Sequence, residues 1–442
     1  MKRIKLVVVL SLILALFLAT AVFAQPSSYT SGFQVQNLSS STDATIVITY
    51  YNQDGTVDTT TSDVITAGTS TTYFGANMEA SPGFNGSVVI SSDTPVAAIV
   101  NLLGDGGAFG GASYDSFSTG APTANIPLVL NNYFNISTFF NVQNTGSAPA
   151  TVNVSYIGAG GCNENPVTIA PGAAHTFDQT NTCLGANFIG SATVDAGAGS
   201  VAVAVVQYDQ DSLLAYNGFV SDGSDKAVAP LVSHNYFGSR TALQVQNTGG
   251  SAASVTVNFV PSAGFPGMAC SQTQSIAAGA SANFGDDAFF LNAANGCGAS
   301  SGWVGAAEID AGTGNTVVAI VNSVTSGTPN AAAYSAFDPN NGTTTVNFPL
   351  IMDRNFGIFT GFSVANVGGA AANVNCAFSG TSYTASATGL PVGASLTDVQ
   401  GGNIADSYVG SATCTADQPI VGVVSQLGGS GDKLLYYEGF NQ

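Results

Sequence analysis

The side chains that could do catalytic chemistry are few and far apart. The chain has two histidines, His175 and His234, which fall in different copies of an internal repeat. Two separated histidines cannot supply a three-histidine metal site, and no Ser-His-Asp set recurs with the repeat. The sequence has no HExxH, P-loop or dinucleotide-binding fingerprint. We therefore expect both histidines to be structural or surface residues and the protein not to be an enzyme, although a lone histidine could still meet a distant serine and aspartate.

Acidic residues near the predicted module junctions are the candidates for metal binding. Carboxylate oxygens are ligands that Ca²⁺ prefers, and Asp209, Asp211, Asp222 and Asp225 are placed where they could hold it. The alternative is that these residues belong to solvated loops. Residues 52–58 also resemble a calcium loop but lack the terminal glutamate of an EF-hand, so a hairpin turn explains them better. No other cofactor is expected.

One part of the chain has an aromatic set that could bind a sugar. Phe289, Phe290 and Trp303 lie near a long insert at residues 292–301. An exposed aromatic platform there would make the protein a carbohydrate-binding protein with its site on the loops of one module, which is the alternative function. Tyr-X-X-Phe sequences recur at the end of every module, and this recurrence favours core packing over ligand stacking.

The elements that must position these residues are clearest in residues 139–156. Phe140 and Val142 alternate with polar residues, and a second alternation fills the other half of the segment, as expected for half-buried strands. Asn144-Thr-Gly146 between them offers an Asx turn and a residue tolerant of positive φ. We interpret the segment as a pair of strands joined by a short turn. The same phrase recurs around three further asparagines, Asn37, Asn247 and Asn366.

The repeat divides the chain into four modules of about 100 residues, the usual size of a β-sandwich. A leader at 1–24 precedes modules at 25–118, 125–220, 227–338 and 347–442. Each offers seven or eight short strands with one apolar face, which two stacked sheets would cover. A single β-helix would instead show a repeat of roughly 20–30 residues. The short linkers predict a semi-rigid rod. A Pro-Leu strand opens modules two to four but not module one.

The six cysteines support this division. Two fall in each of modules two, three and four, so intramodule pairing is the natural choice among the fifteen possible sets. The predicted disulfides are Cys162–Cys183, Cys270–Cys297 and Cys376–Cys414. The last disulfide is predicted to join two core strands, and the other two are predicted to join loops. Free thiols or a zinc site are the alternative, but the spacing matches no zinc pattern.

The N-terminus and the charge indicate the compartment. Lys2, Arg3 and Lys5 precede an apolar run that ends at Val22-Phe-Ala24, as in a secretory signal peptide, and a retained membrane anchor is the alternative. Cleavage removes three basic residues, so the net charge of −19 becomes −19 − 3 = −22. Such a chain repels nucleic acid and anionic membranes. With 53 glycines and 7% charged residues, the composition indicates a folded all-β chain.

The progression VQNTGSAPATVNVSY, IAPGAAHTF and GSATV resembles the Ig-like modules of bacterial secreted and surface proteins, including the cell-adhesion-related bacterial domain. The resemblance covers nearly the whole mature chain and implies four tandem Ig-like β-sandwiches with a structural or adhesive role at the cell surface. It carries over no catalytic residues. The implied partners are other surface proteins, further copies of the chain or surface glycans, with no membrane insertion after cleavage.

Overall fold

The computed structural model describes Pro26 and residues 28–158, 162–181, 183–262, 264–265, 267–294, 296–298, 302–428 and 432–442. Antiparallel strands dominate these residues, and the prediction of an all-β fold is confirmed. The helical segments among the described residues are one short α-helix, α1 (Asp287–Leu291), and 3-10 turns at Gly75–Asn77, Asp105–Gly107, Gln179–Asn181 and Pro339–Asn341. The predicted leader, residues 1–24, lies outside the described residues.

Module one is a sandwich of a four-stranded and a three-stranded sheet. Its strands are β1 (Tyr29–Asn37), β2 (Ala44–Asn52), β3 (Val57–Ile65), β4 (Ser70–Tyr73), β5 (Gly86–Ser92), β6 (Val96–Gly104) and β7 (Gly110–Asp115). The sheets have the orders β4-β1-β6-β7 and β3-β2-β5. Alternate residues of β2, namely Ala44, Ile46 and Ile48, are fully buried between them, as the period of two requires.

Module two adds a fourth strand to the second sheet. Its strands are β8 (Thr123–Asn131), β9 (Ser137–Asn144), β10 (Ala150–Ile157), β11 (Val167–Ile169), β12 (Ala174–Asp178), β13 (Phe188–Asp195), β14 (Val201–Tyr208) and β15 (Leu213–Asn217). The sheets have the orders β12-β9-β14-β15 and β11-β10-β13-β8. The apolar run from Val201 is a central strand, as its composition predicts.

Module three repeats this arrangement and links its sheets through one hairpin. Its strands are β16 (Lys226–Tyr236), β17 (Ser239–Asn247), β18 (Ala253–Pro261), β19 (Cys270–Ile276), β20 (Ser281–Phe284), β21 (Trp303–Asp310), β22 (Val317–Thr325) and β23 (Ala331–Ser335). The order is β19-β18-β21-β16-β17-β22-β23, with β20 also paired to β17. The long β16–β17 hairpin carries the chain from one layer to the other.

Module four differs in having one strand that belongs to both layers. Its strands are β24 (Thr343–Asp353), β25 (Phe359–Asn366), β26 (Ala372–Phe378), β27 (Thr384–Leu390), β28 (Ser395–Val399), β29 (Tyr408–Leu427), β30 (Leu434–Glu438) and β31 (Phe440–Asn441). The first half of β29 pairs with β24 and β26, and its second half pairs with β25 and β30. The repeated strand plan is thus kept to the end of the chain.

The strand pairing expected within residues 139–156 is wrong. Both predicted strands exist, but β9 pairs with β12 and β14, whereas β10 pairs with β11 and β13. The connection at Asn144 is therefore an arch between opposite sheets. Alternation alone could not distinguish the two, because a strand shows the same period in a hairpin and in an arch. The predicted Asx turn is present, since Asn144 Oδ1 accepts from Gly146 N at 2.9 Å.

A buried asparagine at each arch holds the two sheets together. The Asn144 amide donates to the carbonyl of Ala148 at 2.8 Å and to that of Ile169, at the end of β11 in the opposite sheet, at 2.9 Å. Three equivalent asparagines, each fully buried, make the same pair of bonds in the other modules: Asn37, Asn247 and Asn366. The recurring sequence pattern therefore supplies one side-chain hydrogen bond between the two sheets of each module.

The four modules close into a ring, so the expected rod is wrong. The closing strands meet around a common axis: β7 contacts β15 and β30, and β23 contacts β15 and β30. Module one therefore touches module four as well as module two. Short linkers are compatible with a ring because they keep each module against the preceding one. The sheets that contain the closing strands also have apolar outward faces, which pack together around the axis.

Hydrogen bonds between successive modules, away from the ring axis, follow the same cyclic order. A serine that follows the recurring aromatic-X-Gly sequence donates to the carbonyl of a turn glycine in the next module. The three bonds are Ser87 to Gly172, Ser191 to Gly279 at 2.8 Å, and Ser411 to Gly68 at 3.4 Å. Modules three and four are joined instead through Ser262 and Ser395, whose hydroxyls lie 2.6 Å apart. The bond from Ser411 to Gly68 joins the last module to the first.

The structure contains the three intramodule disulfides that the cysteine spacing predicts: Cys162–Cys183, Cys270–Cys297 and Cys376–Cys414. Cys376 and Cys414 are fully buried and face each other across β26 and β29. Cys183 is exposed, in keeping with a loop staple. The described part of the chain has no free cysteine.

The ring predicts a compact particle in solution. The mature chain would have 442 − 24 = 418 residues, for which a compact fold has a radius of gyration of about 22 Å. Four modules in an extended row would give roughly 40 Å, taking each module as a sphere of its usual size. We expect small-angle X-ray scattering of residues 25–442 to give a value within a few ångströms of the compact figure. A value near the extended one would contradict ring closure.

The asparagine arches predict a specific loss of stability. The substitution Asn144→Ala should lower the free energy of unfolding by about 1–3 kcal/mol, because it leaves the buried carbonyl of Ile169 without its donor and also removes the bond to the carbonyl of Ala148. Asn153→Ala, at an exposed position of β10, is the matched control and should change stability by no more than about 0.5 kcal/mol. Urea unfolding monitored by circular dichroism measures both, and equal effects would show that the arch bonds contribute nothing.

Candidate binding surfaces

The four aspartates proposed for calcium lie in two separate loops. Asp209 and Asp211 are in the β14–β15 loop, where Asp209 Oδ1 accepts backbone N–H groups from Asp211 at 3.0 Å and Ser212 at 2.9 Å. Asp222 and Asp225 are in the β15–β16 loop. Within the described residues, no group of three or more acidic, histidine or cysteine side chains could hold a metal ion. Asp209 acts instead as an acceptor that shapes its own turn.

The exposed aromatic platform that the alternative function requires in module three is not formed by Phe289, Phe290 and Trp303. Trp303 and Phe290 are fully buried, and their ring centroids lie 5.4 Å apart in the core. Phe289 is partly buried and contacts the same cluster. The indole of Trp303 donates to the Met268 carbonyl at 3.2 Å. All three rings contact Phe259 of β18, with centroids 5.1 to 6.2 Å apart. Trp303 and Phe290 are therefore part of the core and offer no face to a sugar.

His234 is buried beside an acidic residue of α1. Its Nε2 lies 3.0 Å from Asp287 Oδ1, and its ring stacks on Phe290 with centroids 4.9 Å apart. Arg240 binds the other oxygen of the same carboxylate. The Asp287 carboxylate thus ties α1 to β16 and β17, which is a structural role. His175 is exposed and packs edge-on against Phe177, so the two histidines are not brought together.

Three phenylalanines missed by the sequence analysis are the most exposed large apolar residues described. Phe134, Phe237 and Phe356 are 81%, 89% and 96% exposed. Each lies at the tip of the hairpin that joins a module's opening strand to the next strand, in modules two, three and four. Because the modules are arranged cyclically, equivalent tips lie on the same side of the ring. A large apolar side chain left exposed at the same position of three modules is a candidate point of contact with a partner.

The backbone at these tips shows that the phenylalanines do not serve the turn. Each tip is a two-residue turn in which Phe134, Phe237 and Phe356 have φ of +50°, +48° and +49°. The next residue, Asn135 or a glycine, also has positive φ. Such turns favour Asn, Asp or Gly at the first position, and a bulky side chain there costs energy. The geometry of the turn therefore does not account for phenylalanine at these three positions.

Two of the tips carry a second aromatic ring. Tyr133 and Tyr236 contact the adjacent phenylalanines edge to face, with ring centroids 4.7 Å apart in each pair. The sequences Asn-Tyr-Phe-Asn, Asn-Tyr-Phe-Gly and Arg-Asn-Phe-Gly recur at these positions, so the signal was present in the chain. We name Phe134, Phe237 and Phe356 the tip phenylalanines.

The ring axis holds four equivalent residues in a closed set of hydrogen bonds. Asp115, Asn217, Ser335 and Glu438 each follow the recurring tyrosine of a closing strand. Asp115 N donates to Asn217 Oδ1 at 2.9 Å, and Ser335 Oγ donates to the Asn217 carbonyl at 3.0 Å. Ser335 N donates to Glu438, and Glu438 N donates to Asp115 Oδ2 at 3.2 Å. Burial, and then the nearby Glu438, raise the pKa of Asp115 well above its ordinary value.

A second buried carboxyl group lies between the closing strands. Asp432 Oδ2 accepts from Leu213 N at 2.7 Å, and its Oδ1 accepts from Ala331 N at 2.9 Å, so this side chain joins modules two, three and four. Burial raises the pKa of Asp432 to about 8, against the opposing effect of these hydrogen bonds. Asp432 therefore joins three modules through a carboxyl group that is uncharged at mildly acidic pH.

Comparison with known proteins adds little to these observations. No protein family and no curated protein matches the chain. The major pilin of Streptococcus pyogenes is 8% identical, with a TM-score of 0.13, over 92% of this chain and 98% of the pilin. A variant of that pilin is 11% identical, with a TM-score of 0.13, over 58% of this chain and 94% of the pilin. Likeness at this level carries no argument about fold or function.

The buried carboxyl groups predict that stability falls as pH rises. Because the folded-state pKa of Asp432 is raised to about 8, the protein keeps its proton where the unfolded chain, with a pKa of about 4, has lost it. The stabilisation is complete below the unfolded-state value and is lost as pH rises through the folded one. We expect the melting temperature to fall between pH 5 and pH 8, with Asp115 adding to the fall.

Matched variants separate this effect from general charge. Asp432→Asn removes the titrating group and should reduce the fall in melting temperature between pH 5 and pH 8. Asp54→Asn, at an exposed hairpin turn, should keep the full fall. Differential scanning calorimetry across this range measures all three proteins. A melting temperature that rises with pH in the unmodified protein would contradict the assignment.

Proposed function

We propose that this chain is a secreted structural or adhesive protein of the bacterial cell surface, and that it makes contact through the tip phenylalanines. The observation that carries the proposal is their nearly complete exposure on three symmetry-related hairpins. Burial of a phenylalanine against a partner contributes about 1.5–3 kcal/mol. Three tips held by one ring act together, so weak individual contacts add up to firm attachment.

Several features support an extracellular setting. The three disulfides suit an oxidising compartment, and the N-terminal sequence has the pattern of a signal peptide. No helix in the described part of the chain has the length and apolar character needed to cross a membrane. The net charge disfavours nucleic acid as a partner.

The same geometry argues against the alternative of a sugar site on one module. The aromatic cluster of module three is core, whereas the exposed rings recur in three modules. A repeated contact suits a role in adhesion or assembly better than recognition of one small ligand. Surface proteins and surface glycans both offer apolar faces to such tips, and no enzymatic role is proposed.

Substitution of the tips by asparagine tests the proposal without harming the fold. Asparagine tolerates positive φ, so Phe134→Asn, Phe237→Asn and Phe356→Asn together should leave thermal stability unchanged or raise it. Binding to bacterial cell-envelope material should fall at least tenfold, because the apolar contact area is lost. Pull-down on two fractions, envelope protein and envelope polysaccharide, measures the effect for each class of partner.

A control variant at other exposed apolar side chains completes the experiment. Val57, Val64 and Val392 are exposed valines that lie outside the three hairpins, and their joint substitution by asparagine should leave binding unchanged. Equal losses in both triple variants, or no binding of the unmodified protein to either fraction, would overturn the proposal.

A further inference from the structure

We propose that module one binds an extended segment of a different protein as an added strand along β5. In modules two to four, the opening strands β8, β16 and β24 pair with β13, β21 and β29. β5 is the equivalent of these partners, but among the described residues it pairs only with β2. Its sequence, Gly86–Ser92, contains no charged residue and no proline, so the edge has none of the usual guards against strand addition.

The burial of module one shows the position that the added strand would cover. Val88, Ile90, Val100 and Tyr114 are only partly buried. Their equivalents in the other three modules are buried to 2% exposure or less: Ala192, Val194, Val205 and Tyr216; Ala307, Ile309, Val321 and Tyr334; Ala412, Cys414, Val424 and Tyr437. The greater exposure is found at these four positions of module one. A strand along β5 that is present in the other modules but not among the described residues of module one explains it.

The hydrogen bond of the recurring tyrosine also indicates that module one could accept an added strand. Tyr216, Tyr334 and Tyr437 each donate to the carbonyl of the leucine in the Pro-Leu pair of their own opening strand, at 2.6, 2.6 and 2.5 Å. Tyr114 is the equivalent in module one, and the described residues offer its hydroxyl no such carbonyl. An added strand with a carbonyl at this place would accept the bond.

Module two forms the other wall of the same groove. Each opening strand packs against the inner sheet of the next module: β8 against β17 and β22, β16 against β25 and β29, and β24 against β1 and β6. The contacting residues Ile320, Val423 and Ile99 are buried to 1% exposure or less. Their equivalent in module two is Ala204, which is partly exposed and smaller. Asn141 and Gln143 beside it are also partly exposed, whereas their equivalents in module one, Gln34 and Gln36, are 2% exposed.

The described N-terminal residues lead away from this groove. Tyr29 extends β1 by pairing with Gly104, and Ser28 and Asp105 exchange hydrogen bonds of 2.9 Å. Pro26 lies against Gly104. None of the described residues before Tyr29 lies along β5. The proposed strand at β5 is therefore taken from a different protein.

The three internal strands define the chemistry of the partner. It is an extended segment of about nine residues, the length of β8, with apolar side chains at alternate positions facing the core. A Pro-Leu pair at its centre would place a carbonyl near Tyr114, as in β8, β16 and β24. Because the mature chain has a net charge of −22 (−19 − 3), a neutral or basic segment is favoured over an acidic one.

A peptide with the sequence of residues 123–131 is the direct probe. Added to the protein of residues 25–442, it should protect the amides of residues 86–92 from hydrogen exchange, and fluorescence anisotropy of a labelled copy should saturate. The same peptide with Ile126→Asp and Leu128→Asp should not bind, because its inward residues would then be charged.

Two substitutions on the wall of module two give opposite results. Ala204→Ile restores the side chain used at the equivalent positions Ile99 and Ile320, and should tighten peptide binding by about tenfold. Ala204→Trp fills the groove and should abolish binding, while thermal unfolding of the protein alone shows that the variant is folded. These effects are independent of the tip phenylalanines.

Three outcomes would overturn the proposal. The first is the absence of peptide binding to both the unmodified protein and Ala204→Ile. The second is binding that protects residues outside β5 and the facing part of module two. The third is protection of β5 in the protein alone that grows with its concentration, which would assign the edge to a second copy of this chain.

Discussion

Each module depends on one buried amide that connects its two sheets. Apolar packing between the layers of a sandwich is not directional and would tolerate sliding of one sheet over the other. The Asn144 amide prevents this by donating to carbonyls on both sides of the arch. Because a buried amide without partners would cost more than its bonds contribute, only one register satisfies it. The four copies therefore give the modules the same internal geometry, which cyclic packing requires.

Much of the fold could be predicted from local patterns. Alternation located the strands, the recurring landmarks suggested how they are grouped, and two cysteines per module indicated the disulfides. The ring was missed because it depends on long-range packing, which short linkers do not reveal. A signal was nonetheless present: the runs in β14 and β22 are apolar on both faces, and a strand in an isolated sandwich needs only one such face. Ile320 contributes to the core of module two because the ring covers its outward face.

The candidate site was harder to predict, for a different reason. The position of Trp303 and Phe290 beside a long insert suggests an exposed aromatic platform, but nearness in sequence does not show whether a ring faces solvent or the core. The tip phenylalanines follow from turn chemistry, since Phe before Gly or Asn in a two-residue turn occupies a position where glycine or asparagine is preferred. Recognising them requires the hairpin to be known first. The open edge of β5 was visible earlier, as the absence of a Pro-Leu strand in module one.

Covalent linkage of the four modules lets the symmetry of the ring be broken at its centre. Four identical subunits around such an axis would place four copies of one side chain there, and four buried carboxyl groups would repel one another as soon as they ionised. In this chain the same position is occupied in turn by Asp115, Asn217, Ser335 and Glu438, which differ in what they donate and accept. A single gene can thus keep a fourfold scaffold while changing each quarter of it separately. The unequal tips, and the opening strand that the described part of module one lacks, are further products of that freedom.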